Sequence, residues 1–522
     1  MRVQAGPDVD DREPVDHPSR SDGFVRGVSE AIGGPLGEHA VGRDRPGGAV
    51  TRRFWTAARI ILALTCLTLA LHWVEKSPCR DGAWQDLMQY KKFCYTDVLA
   101  LYYAEGLSEG KIPYLDQPVE YPVVTGFFMG ALGLPVHTVG EYPVLTGLFM
   151  GGALALPVHA IGADRAGFNQ GMWFYDLNAL VLGALGVASV AAILALRRRR
   201  PWDAALFALS PALLLTATVN WDLLAIALAV FGLYAWARRR PVLAGVLLGL
   251  GTAAKLWPGF LFVPLIVLGL RAGRSRPVWA SIGTGVLTWL AVNVPVMVAN
   301  YDSWHRFIEL NTDRGIDWGT LWYIGDHFPR GAGEYGFAAF GWLGSHVAPQ
   351  LNYLTYALIL LAWLGIGWLT FLAPRRPRLG QLAFLMVATF LIFNKVWSQQ
   401  FVLWLLPLVV LARPRWGAFL AWQAAEVCYF FAFYGELMGA SGRQVFPEGV
   451  FVLASGLRLV TVAVLCGLVV RDILRPERDA VRQTYDDDPD GGVFDGAPDA
   501  DWLARRLAPR HRERSTDLVT LR

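Results

Sequence analysis

Asp97 opens the segment Thr96-Asp97-Val98-Leu99-Ala100-Leu101-Tyr102, and its carboxylate has the chemistry of a general base, able to take a proton from an acceptor hydroxyl. Leu99, Leu101 and Tyr102 give the segment a helical pattern, so Thr96 or Asp97 could instead serve as a structural N-cap. Asp86, Asp116 and Glu120 are rival carboxylates in the same region. Lys255 and Lys395 are isolated cations in apolar surroundings. Ionisable groups there are costly and often mark a substrate path, although snorkelling to the interface also accounts for them. Two such lysines on one face suit a lipid phosphate or diphosphate.

Weaker candidates surround these residues. Asp222 follows Asn220-Trp221 and could simply cap a helix, while Gln399, Gln400 and Asn394 could hydrogen-bond a sugar or satisfy backbone in a tight turn. Residues 299–349 interleave Trp304, Trp318, Trp322 and Trp342 with Asp302, Glu309, Asp313, Asp317 and His327. Aromatic faces beside carboxylates suit a sugar, and Trp also populates any membrane interface. The sequence has no metal-ligand spacing, no phosphate-cradling glycine loop and no nucleophile motif. Neither a metal nor a cofactor is therefore expected, and nothing points to nucleic acid.

The elements that must position these residues are membrane spans. The chain has 522 residues, 54% of them hydrophobic and only 17% charged, with apolar runs of about 20 residues that suffice to cross a bilayer as helices. An all-α polytopic membrane protein follows. Spans are expected near 54–74, 119–137, 141–160, 173–196, 202–219, 221–237, 242–254 with 257–270, 278–298, 350–372, 379–394, 400–412, 416–434 and 450–470. Residues 51–475 then form the transmembrane domain. Residues 1–50 and 476–522 lack apolar periodicity and are expected to be disordered cytoplasmic tails.

Charge sets the orientation. Arg52-Arg53, Arg197 to Arg200, Arg238 to Arg240, Arg271 to Arg276, Arg375 to Arg378, Arg413 to Arg415 and Arg471 to Arg475 all belong inside by the positive-inside rule. The outer side then receives the loop 75–118, the turns at Asn220-Trp221-Asp222, Lys255 and 394–400, and the long loop 299–349. Cys79 and Cys94 share the first of these loops and can pair if it is extracytoplasmic. One segment occurs twice: Glu120-Tyr121-Pro122 returns as Glu141-Tyr142-Pro143. Even parity between Arg53 and Arg197 requires both copies to cross. That assigns function to the first copy, which continues the Asp97 loop, and a spacer role to the second.

In this order and topology, "TDVLALYYAEGLSEGKIPY" with "VEYP", "VNWDLLAIALAV", "LAGVLLGLGTAAKLWPGFLFVPL" and "NKVWSQQFVLWLLPL" resemble the polyprenyl-phosphate-sugar-dependent glycosyltransferases of the GT-C superfamily. Family 87, which includes actinobacterial mannosyltransferases, is the specific resemblance, over roughly residues 54 to 470. It implies a GT-C-like bundle of about 12–14 transmembrane or re-entrant helices in the plasma membrane. It also implies hexosyl transfer, commonly of mannose, from a polyprenyl-phosphate donor to a cell-envelope lipid or glycan acceptor outside the cell. Carried over residue by residue, it implies Asp97 as the catalytic acid residue and Lys255 and Lys395 as donor-phosphate ligands; Glu120, Tyr121, Asp222, Gln399 and Gln400, read from the residues themselves, are the expected substrate contacts. Trp397-Ser398-Gln399-Gln400 stands where Ser-Pro-Gln would be expected. A transporter or flippase of a lipid-linked sugar is the alternative.

Overall fold

Apolar runs bounded by Pro, Gly and Arg fold as helices because a bilayer offers no partner for an unpaired backbone group. The computed structural model describes Pro18 and residues 22–31, 55–139 and 165–503, apart from 83, 332–333 and 346–348. In chain order the helices that matter are α1 (Gly23–Ala31), α2 (Ala57–Glu75), α3 (Asp97–Ala104), α4 (Val123–Val139), α5 (Arg165–Leu196), α6 (Asp222–Ala237), α7 (Pro241–Ala254) and α8 (Phe262–Ala272). They continue as α9 (Ser275–Ala299), α10 (Tyr301–Asp313), α11 (Leu321–His327), α12 (Pro349–Leu372), α13 (Leu379–Phe393), α14 (Val402–Ala412), α15 (Trp416–Ala440) and α16 (Glu448–Leu474). Among the described residues the only sheet is a small hairpin, Pro329–Gly331 with Glu334–Tyr335. Among the described residues five helices are long and apolar enough to cross a bilayer: α2, Gln170–Leu196 within α5, α9, α12 and α16. The chain is an all-α polytopic membrane protein.

The remaining apolar helices are short. The 16 residues of α6 span about 24 Å, less than the roughly 30 Å hydrocarbon core. Every residue of α14 is buried, so neighbouring helices wrap it completely. At Lys255 the backbone becomes extended (φ −149°, ψ 145°), α7 stops, and the chain returns through a 3₁₀ turn at Trp257–Leu261 into α8. The break expected at this lysine is therefore present. At one end of the bundle the turns that carry Val219 and Asn220, Lys255 to Trp257, and Ser398 to Gln400 line a recess.

The opposite end is built from arginine. Arg197 donates to both carboxylate oxygens of Asp490 at 2.7 and 2.6 Å, and Arg378 to both of Asp479 at 2.7 and 3.0 Å. Arg271 pairs with Asp499 at 2.9 Å and Arg376 with Asp487 at 2.6 Å. These contacts correct the expectation that 476–522 is a disordered tail. Residues 476–503 are packed against the bundle, with Asp479, Asp488 and Asp490 buried. Their physical role is clear: a buried guanidinium needs a paired, hydrogen-bonded partner, and the acidic run supplies it. Part of the N-terminal region is likewise ordered. Asp22 caps α1 and accepts the Trp416 N–H at 2.9 Å, whereas most of 1–50 and all of 504–522 lie outside the described residues.

The loop that follows α3 packs along α4. A Cβ on Gly126 would meet the Tyr114 ring, one on Gly130 would meet Pro113, and one on Gly133 would meet Leu107. His137 Nδ1, near the far end of α4, is 3.1 Å from the Ser108 carbonyl. The loop thus contacts α4 from its first turns to near its end. Gly171 of α5 packs against Tyr103, and Phe174 stacks on Tyr102 at 4.5 Å, which sets this part of α5 against α3. The second copy, Glu141-Tyr142-Pro143 with the span expected at 141–160, lies outside the described residues.

Candidate active site

The cap of α3 is made by Thr96 and not by Asp97. The Thr96 hydroxyl oxygen accepts from Val98 N at 3.2 Å, capping α3, and its O–H donates to the Thr218 carbonyl at 2.6 Å. Asp97 N donates to Val219 O at 2.8 Å. The first turn of α3 is thereby pinned to the turn before α6, and the Asp97 carboxylate is left to accept from Asn220 Nδ2 at 2.7 Å. The structural-cap reading therefore belongs to Thr96. Burial pushes the Asp97 carboxyl up to about 6, partly offset by hydrogen bonds from Asn220 and Tyr95 and reinforced by the nearby Glu120 charge.

Asn220 is the junction of the site. Its amide nitrogen also donates to the Tyr121 hydroxyl at 2.5 Å, while its oxygen accepts from Lys255 Nζ at 3.2 Å. Lys255 and Asp97, 158 positions apart in the chain, thus meet on one buried side chain. The Lys255 ammonium lies 5.1 Å from the Tyr121 ring centroid and 5.7 Å from that of Phe401, a geometry in which aromatic faces favour a cation. Behind it stands Asp222, fully buried, 3.4 Å from Nζ and accepting from Trp404 Nε1 at 2.6 Å. Asp222 is the counter-ion of Lys255 and does not face the recess.

The recess encloses a cavity of about 680 Å³. Asp97, Glu120, Tyr121, Lys255, Gln399 and Gln400 all line it, so most residues singled out in the sequence converge. Gln399 Oε1 and Trp257 Nε1, in buried side chains of this lining, have no hydrogen-bond partner. Unsatisfied polar atoms in a cavity wall call for a polar occupant.

Lys395 does not join this group. Its Nζ donates to the Thr312 carbonyl at 2.9 Å and also to the Arg314 carbonyl, so its charge serves to tie down the end of α10. Burial pushes its pKa down to about 8. Two cations that the sequence reading passed over, Arg306 and Arg314, line the cavity from α10 and the residue after it. A third, Arg458 on α16, is fully buried; it pairs with Glu426 at 3.0 Å and donates to the Trp397 and Ser398 carbonyls at 2.9 and 3.1 Å. It fixes the turn that carries Gln399 and Gln400. Its signal in the sequence was an arginine in the middle of the last apolar span.

Cys79 and Cys94 form a disulfide, with Cα atoms 5.5 Å apart. It staples the loop between α2 and Asp97 beside the cavity.

The helical bundle thus sets a carboxylate, a lysine and polar atoms without hydrogen-bond partners around a recess at one end. Residues 166–396 match the model of glycosyltransferase family 87, and it is to this family that the chain is similar. The matched stretch begins in α5 and ends after Lys395, so it contains Asn220, Asp222 and Lys255 but not Asp97. No curated protein matches the chain.

Proposed function

We propose that the protein is a polyprenyl-phosphate-hexose-dependent hexosyltransferase of the plasma membrane, with mannose the first sugar to test. Both tails are cytoplasmic and the cavity opens outside, where it glycosylates a cell-envelope lipid or glycan. The observation that carries this reading is the meeting of Asp97 and Lys255 on Asn220, at 2.7 and 3.2 Å, in the cavity wall. One group can accept a proton and the other can neutralise a phosphate, side by side in the wall of a cavity of about 680 Å³. The arginines at the far end and the disulfide beside the cavity support the orientation, since basic residues favour the cytoplasmic side and disulfides an oxidising compartment.

In this mechanism the acceptor hydroxyl oxygen attacks the anomeric carbon, its proton passes to Asp97, and the bond from that carbon to the phosphate oxygen breaks with its electron pair leaving on the polyprenyl phosphate. Direct displacement inverts the anomeric configuration. Lys255 stabilises the charge that develops on the leaving phosphate, with Arg306 and Arg314 supplying further positive potential at the rim. Leu256, 49% exposed at the cavity edge, offers an apolar approach for the lipid chain. The test uses purified protein in lipid nanodiscs with polyprenyl-phosphate mannose and envelope glycan acceptors. Transfer by wild type and its loss in Asp97→Asn is the expected result; equal transfer by both removes Asp97 as base, and no transfer from any polyprenyl donor removes the proposal.

A further inference from the structure

Residues 217–220, which deliver Asn220 to the cavity wall, join the short helix Pro211–Thr216 to α6 and are not themselves helical. His72, in the last turn of α2 and 1% exposed, reaches this connector across 146 positions of chain. Its Nδ1 lies 2.7 Å from the Leu214 carbonyl oxygen, which can only accept, so Nδ1 carries the ring proton. Nε2 is then an acceptor, and it takes the Thr218 backbone N–H at 2.9 Å and the Thr218 hydroxyl at 2.7 Å. With that proton committed, the hydroxyl oxygen accepts from the Tyr175 O–H at 2.8 Å. Each bond has one sense, so the ring is neutral and held in one orientation. Glu75, 3.9 Å from Nδ1, lies farther off than the carbonyl and is paired with Lys76 at 3.0 Å.

The residue that His72 grips begins the stretch that holds Asp97. The Thr218 carbonyl accepts from the Thr96 hydroxyl at 2.6 Å, the Val219 carbonyl from Asp97 N at 2.8 Å, and Asn220 Nδ2 donates to the Asp97 carboxylate at 2.7 Å. Three consecutive residues thus contact the start of α3, and the first of them is anchored through its N–H to a buried imidazole. Without that acceptor the Thr218 N–H would be buried and unpaired, which is costly enough to move the connector. We infer that His72 is a positioning residue for Asp97: by holding Thr218 it sets where Asn220 presents its amide to the carboxylate. The inference rests on the reading of Asp97 as the base and adds the residue that orients it from a different helix.

The test compares two polar replacements in the purified full chain. His72→Asn keeps a nitrogen near the place of Nδ1 and so the Leu214 bond, but stops short of Thr218. His72→Gln puts an amide oxygen near the place of Nε2 and so keeps the Thr218 bond. Each loses one link, and both lower the thermal midpoint; a merely structural histidine would give only that fall. The acid inflection of kcat/KM moves up in His72→Asn, by about half a pH unit or more as the Asn220 bond to the charged carboxylate lengthens, and stays close to wild type in His72→Gln. Combined with Asn220→Ala, His72→Asn adds no further shift, because both act through one bond. Equal shifts in the two variants, no shift in either, or a shift that adds to that of Asn220→Ala overturns the inference. Infrared difference titration of the Asp97 carboxyl, with Asp97→Asn as the blank, reads the same shift without turnover. No transfer from any polyprenyl donor therefore removes the donor assignment alone, and an Asp97 titration unmoved in His72→Asn removes His72 alone.

Discussion

If Asp97 is the base, its protonation should set the acid limb of the pH–rate profile, and Asn220 should set where that limb falls. With its carboxyl pushed up to about 6 by burial, the free enzyme is half inactive near that pH. Because only the deprotonated carboxylate can accept the acceptor proton, kcat/KM should fall about tenfold per pH unit below it and level off above. Asn220 donates to Asp97 at 2.7 Å, a bond made to the charged form and worth about 1.5–3 kcal/mol in a protein interior. Asn220→Ala therefore raises the Asp97 pKa, by roughly one unit or more at about 1.4 kcal/mol per unit. The inflection should move to higher pH, so that the variant is most impaired at pH 6 and partly recovers at pH 8. The assay is initial-rate transfer from polyprenyl-phosphate mannose across pH 5 to 9, read as kcat/KM, with Asp97→Asn as the flat baseline. An inflection that stays in place or moves down in Asn220→Ala, or a limb that survives in Asp97→Asn, refutes Asp97 as the titrating base.

Other outcomes follow from the same contacts. Lys255→Met should raise the donor KM and lower thermal stability together, because it removes a cavity cation and strands the buried Asp222; Lys395→Met should lower stability and leave the donor KM unchanged, as its ammonium only binds backbone carbonyls. Asp479→Ala leaves the Arg378 guanidinium buried with its main counter-ion gone, a loss of about 3–5 kcal/mol that thermal unfolding in detergent should register as a clear fall in midpoint. Glu120→Gln, in the cavity wall, should reduce transfer more than Glu141→Gln, measured side by side; the reverse order would return function to the second copy. Reducing the Cys79–Cys94 bond, which closes a loop of 15 residues, should cost roughly 3 kcal/mol by chain entropy, seen as faster proteolysis between α2 and α3.

What could be read from the sequence was local in character. The Lys255 break announces itself through Gly, Lys and Pro within a few residues of one another, and Asp97 stands out as a carboxylate at a helix start. Lys395 looked equivalent to Lys255, each being a lone cation at a turn between apolar helices. What separates them is which groups the fold brings within hydrogen-bonding distance: a shared asparagine for one, the end of α10 for the other. No periodicity encodes that. Arg306 and Arg314 were hidden for the opposite reason, since charged residues on an amphipathic helix ordinarily face solvent.

The acidic C-terminal run shows the same limit at longer range. Low hydrophobicity signals disorder only if the segment has nothing to satisfy, and here the unsatisfied groups are arginines as far as 293 positions away. Positive-inside charge and a packed bundle pull in opposite directions: the first wants guanidiniums at the cytoplasmic end, the second cannot bury them alone. Residues 476–503 reconcile the two, neutralising Arg197, Arg271, Arg376 and Arg378 where they are buried. For the first copy of the doubled segment, placement is likewise a matter of contacts. Leu107, Pro113 and Tyr114 pack along α4, and Glu120-Tyr121-Pro122 joins that loop to the helix. Tyr121 thereby reaches Asn220 at the cavity wall.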